Sequence, residues 1–114
     1  MTAVSTKDRI TLYLQDGRVR TKIGDAILAD TSCAIELHES DYQPRLYLPR
    51  EDVRMELLAR SDTVTHCPFK GDATYFSYAE NTDVAWSYEQ PLTGMQALAQ
   101  YIAFDDKKVN ITKG

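Results

Sequence analysis

The chain is poor in cysteine: Cys33 and Cys67 are the only two in 114 residues. No Cys or His pair shows the close spacing that structural zinc sites use. That excludes a disulfide framework and predicts reduced thiols, a cytoplasmic setting and no bound metal or other cofactor. No apolar run approaches the roughly 20 residues needed to cross a bilayer, so no membrane association is expected. The first eight residues lack an apolar stretch and do not read as a signal peptide. Basic residues are not in excess: 13 Lys and Arg face 17 Asp and Glu, a net charge of −4. A general nucleic-acid binder needs a basic face, so nucleic acid is not the expected partner. Glycine-rich phosphate loops are missing too, since Lys70-Gly71-Asp72 is too short for one. What remains is a chain 43% hydrophobic and 26% charged, without repeats or linkers. It suits one domain over residues 1–114, long enough to bury a real core, with residues 1–8 as a flexible tail.

Apolar residues recur every second position over much of that length. Ile10, Leu12 and Leu14 share one face of a strand over 10–15. Asp16-Gly17 then signals a hairpin into 18–23, and Gly24-Asp25 a second turn into 26–29. Further strands are expected over 33–38, 45–48, 73–78 and 84–88, the last two rich in aromatic and β-branched residues. Val109 and Ile111 can add a final one. Residues 50–57 alternate as a strand would, but Arg50 and Arg54 are also one helical turn apart; extended structure is favoured. One helix is expected, over 94–104. Thr93 and Gln96 form a capping-box pair, and Met95, Leu98, Ala99 and Ile102 follow at helical spacing. The fold class is therefore mostly β, antiparallel, with one C-terminal α-helix.

Two segments concentrate the chemistry. Thr65-His66-Cys67-Pro68-Phe69-Lys70-Gly71-Asp72 holds an imidazole, a thiol, an ammonium and a carboxylate within eight residues. Tyr47-Leu48-Pro49-Arg50-Glu51-Asp52-Val53-Arg54-Met55-Glu56 is the second. His66, Asp72 and Cys67 are the candidates for catalysis. Neighbours in extended chain point to opposite faces, which opposes a direct His66–Cys67 pair. Arg50, Arg54 and Lys70 are candidates for gripping an anion, since guanidinium forks match carboxylate and phosphate. Tyr75, Trp86 and Tyr88 are candidates for stacking on a ligand ring. Each has a plainer reading. Arg50, Asp52, Arg54 and Glu56 form a self-neutralising ladder, Lys70 and Asp72 a solvated turn pair, and the aromatics and Cys33 core residues.

These segments, followed by Val84-Ala85-Trp86-Ser87-Tyr88, resemble the domain of unknown function 427 family over about residues 18–104. The resemblance implies a small bacterial and fungal family of β-tent-like architecture, the architecture of methionine sulfoxide reductase B and translationally controlled tumour protein. Many β-tent proteins hold zinc on paired cysteines, which this chain does not have. The family also carries a nucleotidyltransferase-like name, and no established residue roles transfer with it.

Two functions follow as expectations. One is binding of a small anionic ligand in a cleft lined by Arg50, Arg54, His66, Lys70 and Asp72, with or without a reaction. The other is a non-catalytic protein-interaction module in which these residues pair with one another. Oligomeric state is not legible.

Overall fold

A computed structural model describes residues 2–7 and 9–114. Its strands are β1 (Thr2–Lys7), β2 (Ile10–Leu14), β3 (Val19–Ile23), β4 (Ala26–Thr31), β5 (Ile35–Glu39) and β6 (Arg45–Leu48). They continue as β7 (Leu58–Cys67), β8 (Gly71–Tyr78), β9 (Asn81–Ser87), β10 (Ile102–Phe104) and β11 (Asn110–Lys113). They form an eight-stranded sheet in the order β1-β2-β5-β6-β10-β9-β8-β7 and a three-stranded sheet in the order β11-β3-β4, with every strand pairing antiparallel.

Strand alternation gives the large sheet two different faces. Phe76, Ala85 and Phe104 lie opposite one another on adjacent strands, and all three are buried against Val19, Leu28 and Ala29 of the small sheet. The opposite face carries a second row of paired residues: Ile35, Tyr47, Ala103, Trp86 and Tyr75. Ile10, Leu12, Leu37, Ala73, Tyr88, Met95 and Leu98 are the other buried members of that second cluster. Small alanines between large rings let both rows close without overpacking.

Several expectations need correction. The C-terminal helix is absent. Residues Gln96–Leu98 make one 3-10 turn, and Gln100 has φ of +69°. Met95 and Leu98 enter one cluster while Ile102, on β10, enters the other. Their spacing fits a helix, but a tight turn and a strand satisfy it as well. Gln96 accepts from the Gly94 amide at 2.7 Å rather than closing a capping box on Thr93. Asp16-Gly17 does not make a hairpin: β2 pairs with β1 and β5, so this turn hands the chain to the other sheet. The expected flexible tail is in part β1, paired with β2 over Thr2–Lys7, while residues 1 and 8 lie outside the described residues. Residues 50–57 are two 3-10 turns, Arg50–Asp52 and Met55–Leu57, with Val53 bridged to Ala29 between them. Cys33 is exposed rather than core.

Thr21 sits wholly buried on β3, and its Oγ1 has no hydrogen-bond partner among the described residues. An orphaned buried hydroxyl costs about 1–3 kcal/mol. Thr21→Val removes it at similar volume and keeps a β-branched side chain. The urea midpoint should rise, by about 1 kcal/mol in stability; a fall would show that the hydroxyl finds a partner in solution.

Candidate functional site

The Tyr47–Trp86–Tyr75 row floors a cavity of about 640 Å³. Tyr88, Leu37, Cys67 and the Lys70–Glu39 pair form its walls, with Tyr42, Gln43, Arg45, Asp106 and Lys107 also lining it. The Trp86 indole donates to the Tyr47 hydroxyl at 3.3 Å, and the Tyr75 and Trp86 ring centroids are 6.1 Å apart. The Arg45 guanidinium lies 5.1 Å from the centre of the Trp86 ring and only 4.0 Å from Asp106. Lys70 Nζ donates to Glu39 Oε1 at 2.9 Å and lies 5.9 Å from the centre of the Tyr88 ring. Lys70 is therefore a buried, paired cation, not the solvated turn residue its Gly-Asp context suggests.

Tyr88 is an unsatisfied group of this cavity. The residue is 7% exposed. Its hydroxyl has no hydrogen-bond partner among the described residues. Burial pushes its pKa up, helped by Tyr47, Cys67, Tyr75 and Glu39, all of which line the same cavity. Tyr47 is also raised by burial, although the Trp86 hydrogen bond opposes the shift. Both phenols stay protonated at neutral pH and serve as hydrogen-bond donors, not bases.

Five of the nine candidate residues thus share one cavity: Cys67, Lys70, Tyr75, Trp86 and Tyr88. His66 and Asp72 line a second, smaller hollow of about 500 Å³ with Thr74, Glu89, Gln90, Leu92 and Gln100. There the His66 ring bonds Asp72 at 2.8 Å, both side chains being exposed. His66 and Cys67 open into different cavities, so they do not combine as base and nucleophile. Arg50 enters neither. It donates to Gln100 O at 2.9 Å, Ser87 Oγ at 3.1 Å and Glu89 Oε2 at 3.0 Å. Arg60 takes Glu89 in a two-pronged grip at 3.0 and 3.1 Å, and both guanidinium groups lie over Phe76. Arg54 is exposed and lines no described cavity. Among the described residues, no three His, Cys, Asp or Glu side chains converge as a metal site would require, and no helix is long and apolar enough to cross a membrane.

Arg45, Tyr47 and Glu39 are among the site residues not named as candidates from the sequence. Arg45 and Tyr47 lie in a four-residue strand, and nothing in its pattern singles them out. The partnership of Glu39 with Lys70 spans 31 positions and has no local signal.

A family model described as a domain of unknown function (DUF427), with a nucleotidyltransferase-like label, matches residues 11–113. The chain belongs to this family. The DUF427 match is wider than the segments that carry the resemblance, reaching from β2 into β11. No curated protein matches the chain. Membership of the DUF427 family brings no assigned chemistry.

Glu89 makes the stability of the fold depend on pH. The Arg60 hydrogen bonds hold its carboxyl below the usual range, outweighing burial, and Arg50 adds to the effect. Asp83 is held low in the same way by the hydroxyls of Ser61 and Thr63. A carboxylate with a lowered pKa stabilises the fold fully above its unfolded value, about 4. That contribution disappears as pH falls through the folded value. Melting temperature should be nearly flat from pH 7 to about 5.5 and fall steeply below about pH 4.5. Glu89→Gln should lower it at pH 7 and flatten the acid limb; an unchanged limb would assign acid sensitivity elsewhere.

Proposed function

We propose that this DUF427 domain binds a small, ring-bearing anionic ligand in the cavity floored by Tyr47, Trp86 and Tyr75. The observation that carries this reading is the Tyr88 hydroxyl, which has no hydrogen-bond partner among the described residues and belongs to a residue lining an aromatic-walled cavity. Concave sites with apolar walls and a few convergent polar groups are where proteins take small molecules. An unpaired donor on the wall of such a cavity is a group that a ligand would satisfy. Charge supports an anion. Arg45, Lys70 and Lys107 outnumber Glu39 and Asp106 by three to two, leaving one net positive charge in a chain of net charge −4.

Arg50, Arg60 and Glu89 satisfy one another, as do His66 and Asp72. That mutual pairing favours structural roles for Arg50 and His66, as in the interaction-module reading, and moves the binding site to the aromatic cavity. The free thiols of Cys33 and Cys67 are in keeping with a reducing, cytoplasmic setting. Two antiparallel sheets on a shared core are compatible with a β-tent.

Trp86 is the only tryptophan, so its indole N–H gives one resolvable proton resonance inside the cavity. A mixed library of anionic, neutral and cationic ring fragments should shift that resonance, with anionic fragments dominating the hits. A library that leaves it unmoved, or hits confined to the His66–Asp72 hollow, would overturn the proposal.

A further inference from the structure

We infer that the ligand's anionic group is a carboxylate carried on an aromatic ring, and not a phosphate or nucleotide; this rests on the aromatic cavity being the binding site. The charges around the cavity are unequal in availability. Lys70 and Glu39 are committed to each other at 2.9 Å, with side chains only 11% and 12% exposed. That leaves Arg45, Asp106 and Lys107. Arg45 is 39% exposed and only 4.0 Å from a more exposed Asp106, so its planar fork can turn to an incoming anion at little cost. It already lies over Trp86, which places a carboxylate on Arg45 beside the aromatic floor. One guanidinium matches one carboxylate through two parallel hydrogen bonds.

Phosphate also takes a guanidinium fork, but it carries more charge, and proteins usually add backbone amides at helix N-termini or glycine-rich nests, with several cations for polyphosphate. Among the described residues the only helical elements are 3-10 turns of three residues each, and no glycine lines the cavity. One net positive charge is enough for a carboxylate and too little for a triphosphate. In the same cavity, beside Tyr47, Cys67 and Tyr75 in its lining, Tyr88 offers one hydroxyl donor. The ring should therefore bear an acceptor there, a heteroatom or a carbonyl oxygen.

The test titrates the protein with benzoate, nicotinate, nicotinamide, phenyl phosphate, acetate, AMP and ATP, reading the Trp86 indole resonance and the backbone amides. Benzoate and nicotinate should bind, with nicotinamide, acetate, phenyl phosphate and both nucleotides each weaker by about tenfold or more. Arg45→Lys keeps the charge and loses the fork, so it should weaken nicotinate nearly as much as Arg45→Ala. Amides away from the cavity would confirm that each variant folds. Tyr88→Phe should weaken nicotinate, whose ring nitrogen accepts, more than benzoate. If nicotinate binds no better than nicotinamide, or phenyl phosphate binds better than benzoate, the carboxylate inference is overturned and the cavity reading stands. If Arg45→Lys binds nicotinate as well as the unaltered protein does, the fork is excluded. If nothing moves the indole resonance, the cavity reading fails and the inference with it.

Discussion

Lys70→Ala should destabilise this domain by about 3 kcal/mol, as expected when one partner of a buried ion pair is removed. Lys70 and Glu39 join the β7–β8 turn to the end of β5, across the cavity wall. Deleting the ammonium leaves the Glu39 carboxylate largely out of water with no cation against it, and desolvation then goes uncompensated. The turn itself should survive, because its backbone bonds do not involve the side chain: Lys70 N donates to Cys67 O, and Leu92 N donates to Lys70 O at 2.9 Å. Lys70→Met separates charge from packing, since it keeps an apolar stem beside Tyr88 while still stranding Glu39. It should cost nearly as much as the alanine. Combining it with Glu39→Gln should recover more than half of the loss, because a neutral pair is far cheaper to bury than one unpaired charge. Denaturant midpoints of the unaltered protein, Lys70→Met, Glu39→Gln and the combined variant form a double-mutant cycle. A Lys70→Ala loss below about 0.5 kcal/mol, the range of an ordinary surface change, would mean that water reaches the pair in solution.

Lys70 also shows where sequence reading stops. Its type, its turn and its place in a polar cluster are all visible in the chain. Its partner, 31 residues away on another strand, is decided by sheet order, which no local pattern encodes. Strand 45–48 was legible to the residue because Pro44 and Pro49 bracket it, and strands 19–23, 26–31 and 71–78 were nearly so from their β-forming residues and the turn signals beside them. β7 was not legible. It is an edge strand, mostly exposed on both faces from Leu58 to Cys67, so neither face needed to be apolar. The aromatic residues of the site were legible as types. That Tyr47 and Trp86 flank Ala103, and that Arg45 overlies Trp86, follows only from the register of β6, β10 and β9. Arg50 and Arg54 looked equivalent at a spacing of four. A 3-10 turn and an intervening bridge at Val53 give them different surroundings.

That difference sets the last expectation: Arg50→Ala should cost about 2–3 kcal/mol, while Arg54→Ala stays within about 0.5 kcal/mol. Arg50 makes three hydrogen bonds to the segment that leads out of β9 and back into β10. Ser87 is fully buried, Glu89 is mostly so, and Gln100 has an unusual positive φ. Hydrogen bonds involving a charged group contribute about 1.5–3 kcal/mol together when the acceptors are shielded from water. The guanidinium also packs on Phe76, so its removal opens apolar contact as well. Arg50→Lys should recover little, because one ammonium cannot reach three acceptors in the plane that a guanidinium spans. Arg54 has an exposed side chain, and its backbone amide, bonded to Leu28 O at 2.8 Å, is untouched by the substitution. Chemical denaturation of both variants separates the cases. Equal losses would mean that the two arginines act as one charged patch, and the anion site would then belong beside them. A large loss at Arg50 alone, with nicotinate still moving the Trp86 indole resonance of the folded variant, would divide the two roles. Arg50 would hold the frame, and the aromatic cavity would hold the ligand.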